Sequence, residues 1–196
     1  MARLTRTESQ ARNRDQLLAA AERLFLREGY QSASISKIAD EAELSTGAVY
    51  SNFAGKQEVA LLVVRRLQDE HMGRLGPLLA GFPAPDAVDG LWRWAEDALG
   101  SGWPRLELEF ALDATSAPEL VAAESQRHRS TIAWLAGILD DLAPLLPAGM
   151  TAEGCAEAVL NLAIGVAVRR VIDPSVTVQP LRELVEAMFV PPEPAA

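Results

Sequence analysis

The stretch Ser34-Ile-Ser-Lys-Ile-Ala-Asp-Glu-Ala-Glu-Leu-Ser-Thr-Gly-Ala-Val-Tyr-Ser-Asn-Phe53 decides the reading of this chain. It divides into two short helical segments around a tight turn. Ser34 stands as the N-cap of a helix over 35–42, and Ser45 as the N-cap of one over 46–52. A serine hydroxyl in that place accepts a backbone N–H that the first helical turn leaves without a partner. The apolar positions are Ile38, Ala39, Ala42, Leu44, Val49 and Phe53. Two short helices that cross steeply share one small core, and alanines at 39 and 42 let their backbones approach. The second helix then keeps an outer face of Ser45, Thr46, Gly47, Ala48, Tyr50, Ser51 and Asn52. Short, hydrogen-bonding side chains at the N-terminal end of a helix suit the major groove of double-stranded DNA.

Helical patterning continues on both sides. A helix over 12–29 lines up Leu17, Ala21, Leu24 and Phe25, and Gly29 closes it. A fourth begins near Lys56, carries Val59, Leu62, Val63 and Leu67, and is expected to end near Leu75, where Gly76-Pro77 breaks it. Residues 81–85 read as a linker. Beyond it come a helix from about Asp86 with Val88, Leu91, Trp92, Ala95 and Leu99 inward, and another over 105–113. A long helix from Pro118 through Leu142, one over 151–172 and a last one over 181–189 follow, and the tail 191–196 is predicted to be disordered. No run alternates β-branched residues and no repeat recurs. The fold class is all-α, about nine helices.

Charge separates two regions. The 196 residues hold 18 basic and 27 acidic side chains, a net of -9. Residues 1–56 carry eight basic and seven acidic groups, which leaves the whole acidic excess in 57–196. Such a chain is no general coater of nucleic acid, because non-specific affinity comes from neutralising phosphates, so DNA binding requires a local patch. The domain boundary is accordingly expected after Lys56, with a DNA-binding domain over 1–56 and a ligand-binding and dimerisation domain over 57–196. Cys155 is the single cysteine, which excludes an intrachain disulfide and a cysteine-based zinc site and fits a reducing cytoplasm. Residues 1–14 are polar and arginine-rich, unlike a signal peptide, and the near-apolar run over 158–168 is about half a membrane span.

Gly29-Tyr30, Ile38-Ala39, Ala42, Ser45, Gly47, Tyr50, Phe53 and Lys56 together resemble the DNA-binding domain of the tetracycline-repressor (TetR) family over about residues 10–60. Glu43 stands where that family usually has glycine, and Asn52 where it has histidine; Glu43 is expected to face solvent. The resemblance implies that Thr46, Gly47, Ala48 and Ser51 lie closest to base edges. It implies phosphate contacts for Ser34, Tyr50, Asn52 and Lys56, with Ser45 capping the helix that enters the groove and Lys37 as a further contact. It also implies a mostly apolar cavity for a small molecule, with Trp92, Trp103, Glu107, Phe110, His128 and Trp134 as walls. Of Trp92 and Trp94, two positions apart, Trp92 shares the apolar stripe. Finally it implies a homodimer interface of two helices per subunit, through Ala156, Leu160, Ala163, Ile164, Ala167, Val171, Leu184 and Met188.

An enzyme would need reactive groups. His71, His128 and Cys155 are the only candidates for a cysteine–histidine pair, and Cys155 lies among small residues of an apolar helix. The chain holds no phosphate-cradling glycine loop, dinucleotide fingerprint or zinc spacing, and no cofactor, metal or catalytic residue is expected. A helical adaptor that binds only proteins would explain the acidic region but not the groove-fitting helix. The expectation is a cytoplasmic, homodimeric transcriptional regulator, most simply a repressor, that leaves a palindromic operator on binding a small molecule.

Overall fold

The computed structural model describes residues 5–146 and 149–189; the tail 191–196 lies outside them, and of Met188 only the helical backbone is described. Among the described residues there are nine α-helices, one short 3-10 turn and no strand. They fall into two compact units.

The first unit runs to Glu70 and takes in Ser101–Ser116. It contains α1 (Arg6–Glu28), α2 (Ile35–Glu41), α3 (Thr46–Asn52), the start of α4 (Lys56–Ala80) and α6 (Trp103–Ala114). Thr5 and Glu8 cap α1 reciprocally. This starts the helix six residues before the expected Arg12. Gly29, at φ 84, ends it with its N–H on the Phe25 carbonyl. The Ser34 and Ser45 hydroxyls accept the N–H of Lys37 and Ala48, as two N-caps should. Leu17, Phe25, Tyr30, Ile38, Ala39, Val49, Phe53, Val59 and Val63 are buried. The unit thus extends past the boundary expected at Lys56, because α4 keeps burying Val64 and Leu67 and because a helix distant in sequence, α6, docks on α1.

The second unit holds His71–Gly100 and the described residues from Ala117 onward, with α5 (Pro85–Gly100), α7 (Pro118–Asp141), α8 (Ala152–Ile172) and α9 (Gln179–Phe189). Leu135 and Leu139 of α7 pack with Ala152, Cys155 and Ala156 of α8. A second cluster joins Val88 and Trp92 of α5 to Val178. The expected break at Gly76-Pro77 does not occur: α4 continues through Pro77 to Ala80. An interior proline costs a helix ~3 kcal/mol. Here Leu79, on the turn beyond it, packs against the Leu135–Leu139 cluster and offsets that loss.

Candidate nucleic-acid interface

The turn between α2 and α3 is closed by Ala42, whose N–H reaches the Ile38 carbonyl, and by the Leu44 N–H on the Ala39 carbonyl. Glu43 sits in it at φ 54, the left-handed region that glycine occupies without strain, and its side chain is exposed as expected. On α3, Thr46, Gly47, Tyr50 and Ser51 are exposed, Ala48 and Asn52 are half-buried, and Val49 is fully buried. Tyr50 stands out with 63% of its surface exposed. The Ser51 hydroxyl donates to the Gly47 carbonyl at 2.8 Å and the Asn52 amide to the Ala48 carbonyl at 2.8 Å. Ser51 therefore offers an incoming base its oxygen as an acceptor. At Gly47 a Cβ would meet only the Ser45 hydroxyl, at 3.6 Å. The fold itself leaves room for a side chain there.

The cations expected on phosphates arrive already engaged. Lys37 Nζ donates to the Glu28 carboxylate at 2.9 Å and to the Ser32 carbonyl at 3.0 Å. The hydrogen bonds from Lys37 and then Arg27 hold Glu28 below its ordinary carboxylate range. Lys56 Nζ donates to the Tyr30 and Ala33 carbonyls, both at 3.1 Å, and lies 4.0 Å from the centre of the Tyr30 ring. Burial pushes the Lys56 ammonium down, opposed by the charges of Asp113 and Glu109. An ammonium has three donors, so one N–H of Lys56 remains for a phosphate.

Three polar features of this unit carry no signal in the sequence. The Tyr30 hydroxyl donates to Asp113 at 2.6 Å and Gln57 donates to the same oxygen at 2.8 Å, which pins α6 to α4 and to the loop after α1. These two bonds, with the Lys56 charge, hold the Asp113 carboxyl below its usual range. Burial, then the Asp113 contact, pushes the Tyr30 hydroxyl up. Arg14 and Gln16 of α1 reach the backbone ends of α3 and α2. Partners up to 83 positions apart leave no spacing for a sequence reading to find.

Of the residues expected around a cavity, Trp103, Glu107 and Phe110 belong to the first unit and Trp92, His128 and Trp134 to the second. Phe110 is fully buried, edge-on to Tyr30 with centroids 5.7 Å apart, and is core. The Trp103 indole donates to Glu107 at 2.8 Å. Trp92 is buried and Trp134 half-buried, while His128 is exposed. Trp92 does line an open hollow of 650 Å³ on the second unit, where Val178 and the side chains of Asp89, Arg93, Glu96 and Arg182 join it. Among the residues expected at a dimer interface, Ala156 is a correction. It is fully buried against α7 and belongs to its own unit's core. Ile164, Val171 and Leu184 are 43, 37 and 44% exposed; Ala163 is exposed, and Leu160 and Ala167 are half-buried.

The sequence model of the family described as bacterial regulatory proteins, tetR family, matches residues 17–63, which span α1 to α4. The transcriptional regulator TcmR of Streptomyces glaucescens is 33% identical over 82 residues, 42% of this chain and 36% of TcmR. The chain spans about a third of the length of the first curated relatives it matches. The reduced form of NemR from Escherichia coli superposes with a TM-score of 0.71 at 21% identity, covering 92% of this chain and 100% of NemR. A transcriptional regulator from Saccharomonospora viridis in complex with choline gives 0.72 at 18% identity, covering 90% and 95%. At these identities the solved structures show the fold. The helix-turn-helix carries the likeness further: residues 17–63 match the model of the tetR family of bacterial regulatory proteins, and the relatives of 30% identity or more align over part of the chain.

Proposed function

We propose that this protein is a DNA-binding transcriptional regulator, a repressor that holds a palindromic operator as a homodimer and leaves it on binding a small, mostly apolar molecule. The observation that carries the reading is α3: a capped two-turn helix with Thr46, Gly47, Tyr50 and Ser51 exposed and its apolar residue Val49 buried beneath. Thr46, Gly47, Ala48 and Ser51 face base edges; Ser34, Tyr50, Asn52, Lys37 and Lys56 hold phosphates, with Ser45 capping the helix. Lys37 exchanges Glu28 for a phosphate oxygen when it does so. The match of residues 17–63 to the tetR-family model supports operator DNA as partner. The choline complex of the Saccharomonospora regulator supports a small molecule as the releasing signal. The apolar stripe of α8 supports self-association. With no helix long and apolar enough to cross a membrane among the described residues, a cytoplasmic location is the reading we adopt.

The test is selection of duplexes from a random pool, followed by binding of the selected duplex across a salt series. A two-fold symmetric consensus with half-sites about one helical turn apart is expected. Lys56→Ala, which removes one phosphate contact from each subunit of the dimer, should weaken every sequence and flatten the salt slope by about two units, whereas Thr46→Ala should change which sequences are preferred. Failure to enrich any duplex would refute the reading and leave the protein-binding adaptor.

A further inference from the structure

We propose that Arg14 and Gln16 of α1 form a brace that sets the angle of α3, and so act in sequence reading without touching a base; the proposal rests on the DNA-binding reading above. Both side chains reach across to backbone ends of the helix-turn-helix. Gln16 Nε2 donates to the carbonyl of Ala42, the C-cap of α2, at 2.7 Å. Arg14 Nη1 donates to the carbonyl of Asn52, the last residue of α3, at 2.6 Å. The Arg14 guanidinium carbon also lies 4.4 Å from the centre of the Phe53 ring. Phe53 is 3% exposed and its own N–H closes α3 on the Val49 carbonyl.

The physical need is specific. A helix of seven residues has little stability of its own, so its position comes from packing. Val49 and Phe53 hold it down, but apolar contact is non-directional and tolerates rotation of α3 about its axis. A planar donor fixed on one carbonyl and laid over the next ring removes that freedom. The positive charge also lies at the end of α3 where the helix dipole is negative. Arg14 thereby couples the axis of α3 to α1, the longest helix of this unit to lie wholly within it. Base readout requires just such a fixed angle, because hydrogen bonds weaken steeply when donor and acceptor lose alignment.

A competing role for Arg14 is a direct phosphate contact, and salt separates the two. Full-length wild type, Arg14→Ala, Arg14→Lys and Gln16→Ala are compared on the duplex that wild type selects and on an unrelated duplex, with hydrogen exchange measured on each free protein. A charge-assisted hydrogen bond is worth at least a factor of roughly ten. Arg14→Ala should therefore weaken the selected duplex about tenfold, leave the unrelated duplex and the salt slope unchanged, and speed exchange at the α3 amides without DNA. Arg14→Lys, which keeps the charge but not the planar fork, should fall between, and Gln16→Ala should show a smaller loss of the same kind. A salt slope lowered by about two units, one per subunit, or unchanged affinity with unchanged α3 exchange, would overturn the brace. If Arg14→Ala does not fold, Arg14→Lys decides by the same criteria. If wild type selects no duplex, the DNA-binding reading fails, while α3 exchange in the variants still decides whether the brace exists.

Discussion

The two units of this protein meet their polar and apolar demands in opposite ways. In the first, α1, α2 and α3 start on side-chain caps, Thr5 with Glu8, Ser34 and Ser45, and α1 ends on Gly29. Side chains from distant helices then hold the ends in place, as Arg14 does on Asn52 and Asp113 on Tyr30. In the second, α8 leaves an apolar stripe uncovered, with Ile164, Val171 and Ile172 at 43, 37 and 77% exposure. A unit that satisfies its own surface can present a fixed shape to a rigid partner. One that leaves a stripe of this kind is shaped for covering. On the proposed homodimer, substitutions in the first unit act on fold and geometry, while those on α8 act on assembly.

The sharpest way to break that contrast is Gly102. It opens α6 at φ 83, and a Cβ there would fall on the carbonyl oxygen of Leu26 in α1. Backbone strain and a clash that neither helix can relieve add up, so Gly102→Ala should destabilise the first unit by about 3 kcal/mol or more. Chemical denaturation followed at the helical signal reads it. A loss under about 1 kcal/mol would mean that α6 is loosely held and that the first unit is not self-contained. On α8 the opposite is expected of Ala163→Arg. With Ala163 already exposed, the fold should tolerate the longer side chain, while self-association weakens by about 2 kcal/mol or more, roughly thirtyfold. Sedimentation over a concentration series measures this. Wild type that is monomeric at micromolar concentration would remove the basis for the α8 interface.

Much of this was legible beforehand, for reasons that differ between the units. α3 was read to the residue because Ser45 and Phe53 are local signals that need no partner elsewhere. For α4 the sequence pattern stops five residues short, since it contains Pro77 but not the packing of Leu79 that carries the helix past it. The docking of α6 on α1 escaped altogether: Asp113, Gln57 and Tyr30 converge from three segments, and nothing in their spacing says so. Small-residue stripes mislead in a related way. Ala156 and Ala163 share an apolar helix, yet only the tertiary fold decides that the first is core and the second exposed.

Asp113 sharpens the comparison through pH. Its carboxylate accepts from Tyr30 and Gln57, so truncation to alanine should cost about 1–2 kcal/mol near neutrality. The folded pKa lies below the unfolded one, so this stabilisation is present above the unfolded value, about 3.9, and is lost as pH falls through the lower folded value. The gap between wild type and Asp113→Ala should therefore be constant from pH 7 to about 5 and narrow below 4. A gap that widens on acidification would show that the carboxylate is not the stabilised form.

The smallest effect is the most diagnostic of local strain. Glu43 occupies the left-handed region at φ 54, where an L-residue costs about 1–2 kcal/mol and glycine is at ease. Replacing it by glycine relieves that strain but adds freedom to the unfolded chain, worth about 0.4–1 kcal/mol in the other direction. The net expectation for Glu43→Gly is a gain of about 0.5 kcal/mol, read as a higher urea midpoint with an unchanged slope. Charge has to be separated from strain, since both vanish together in that variant. Glu43→Ala removes the carboxylate but keeps a Cβ in the same backbone conformation, and should give little or none of the gain. Equal gains from the two would assign the effect to the charge, and the turn between α2 and α3 would then hold its left-handed residue without measurable cost.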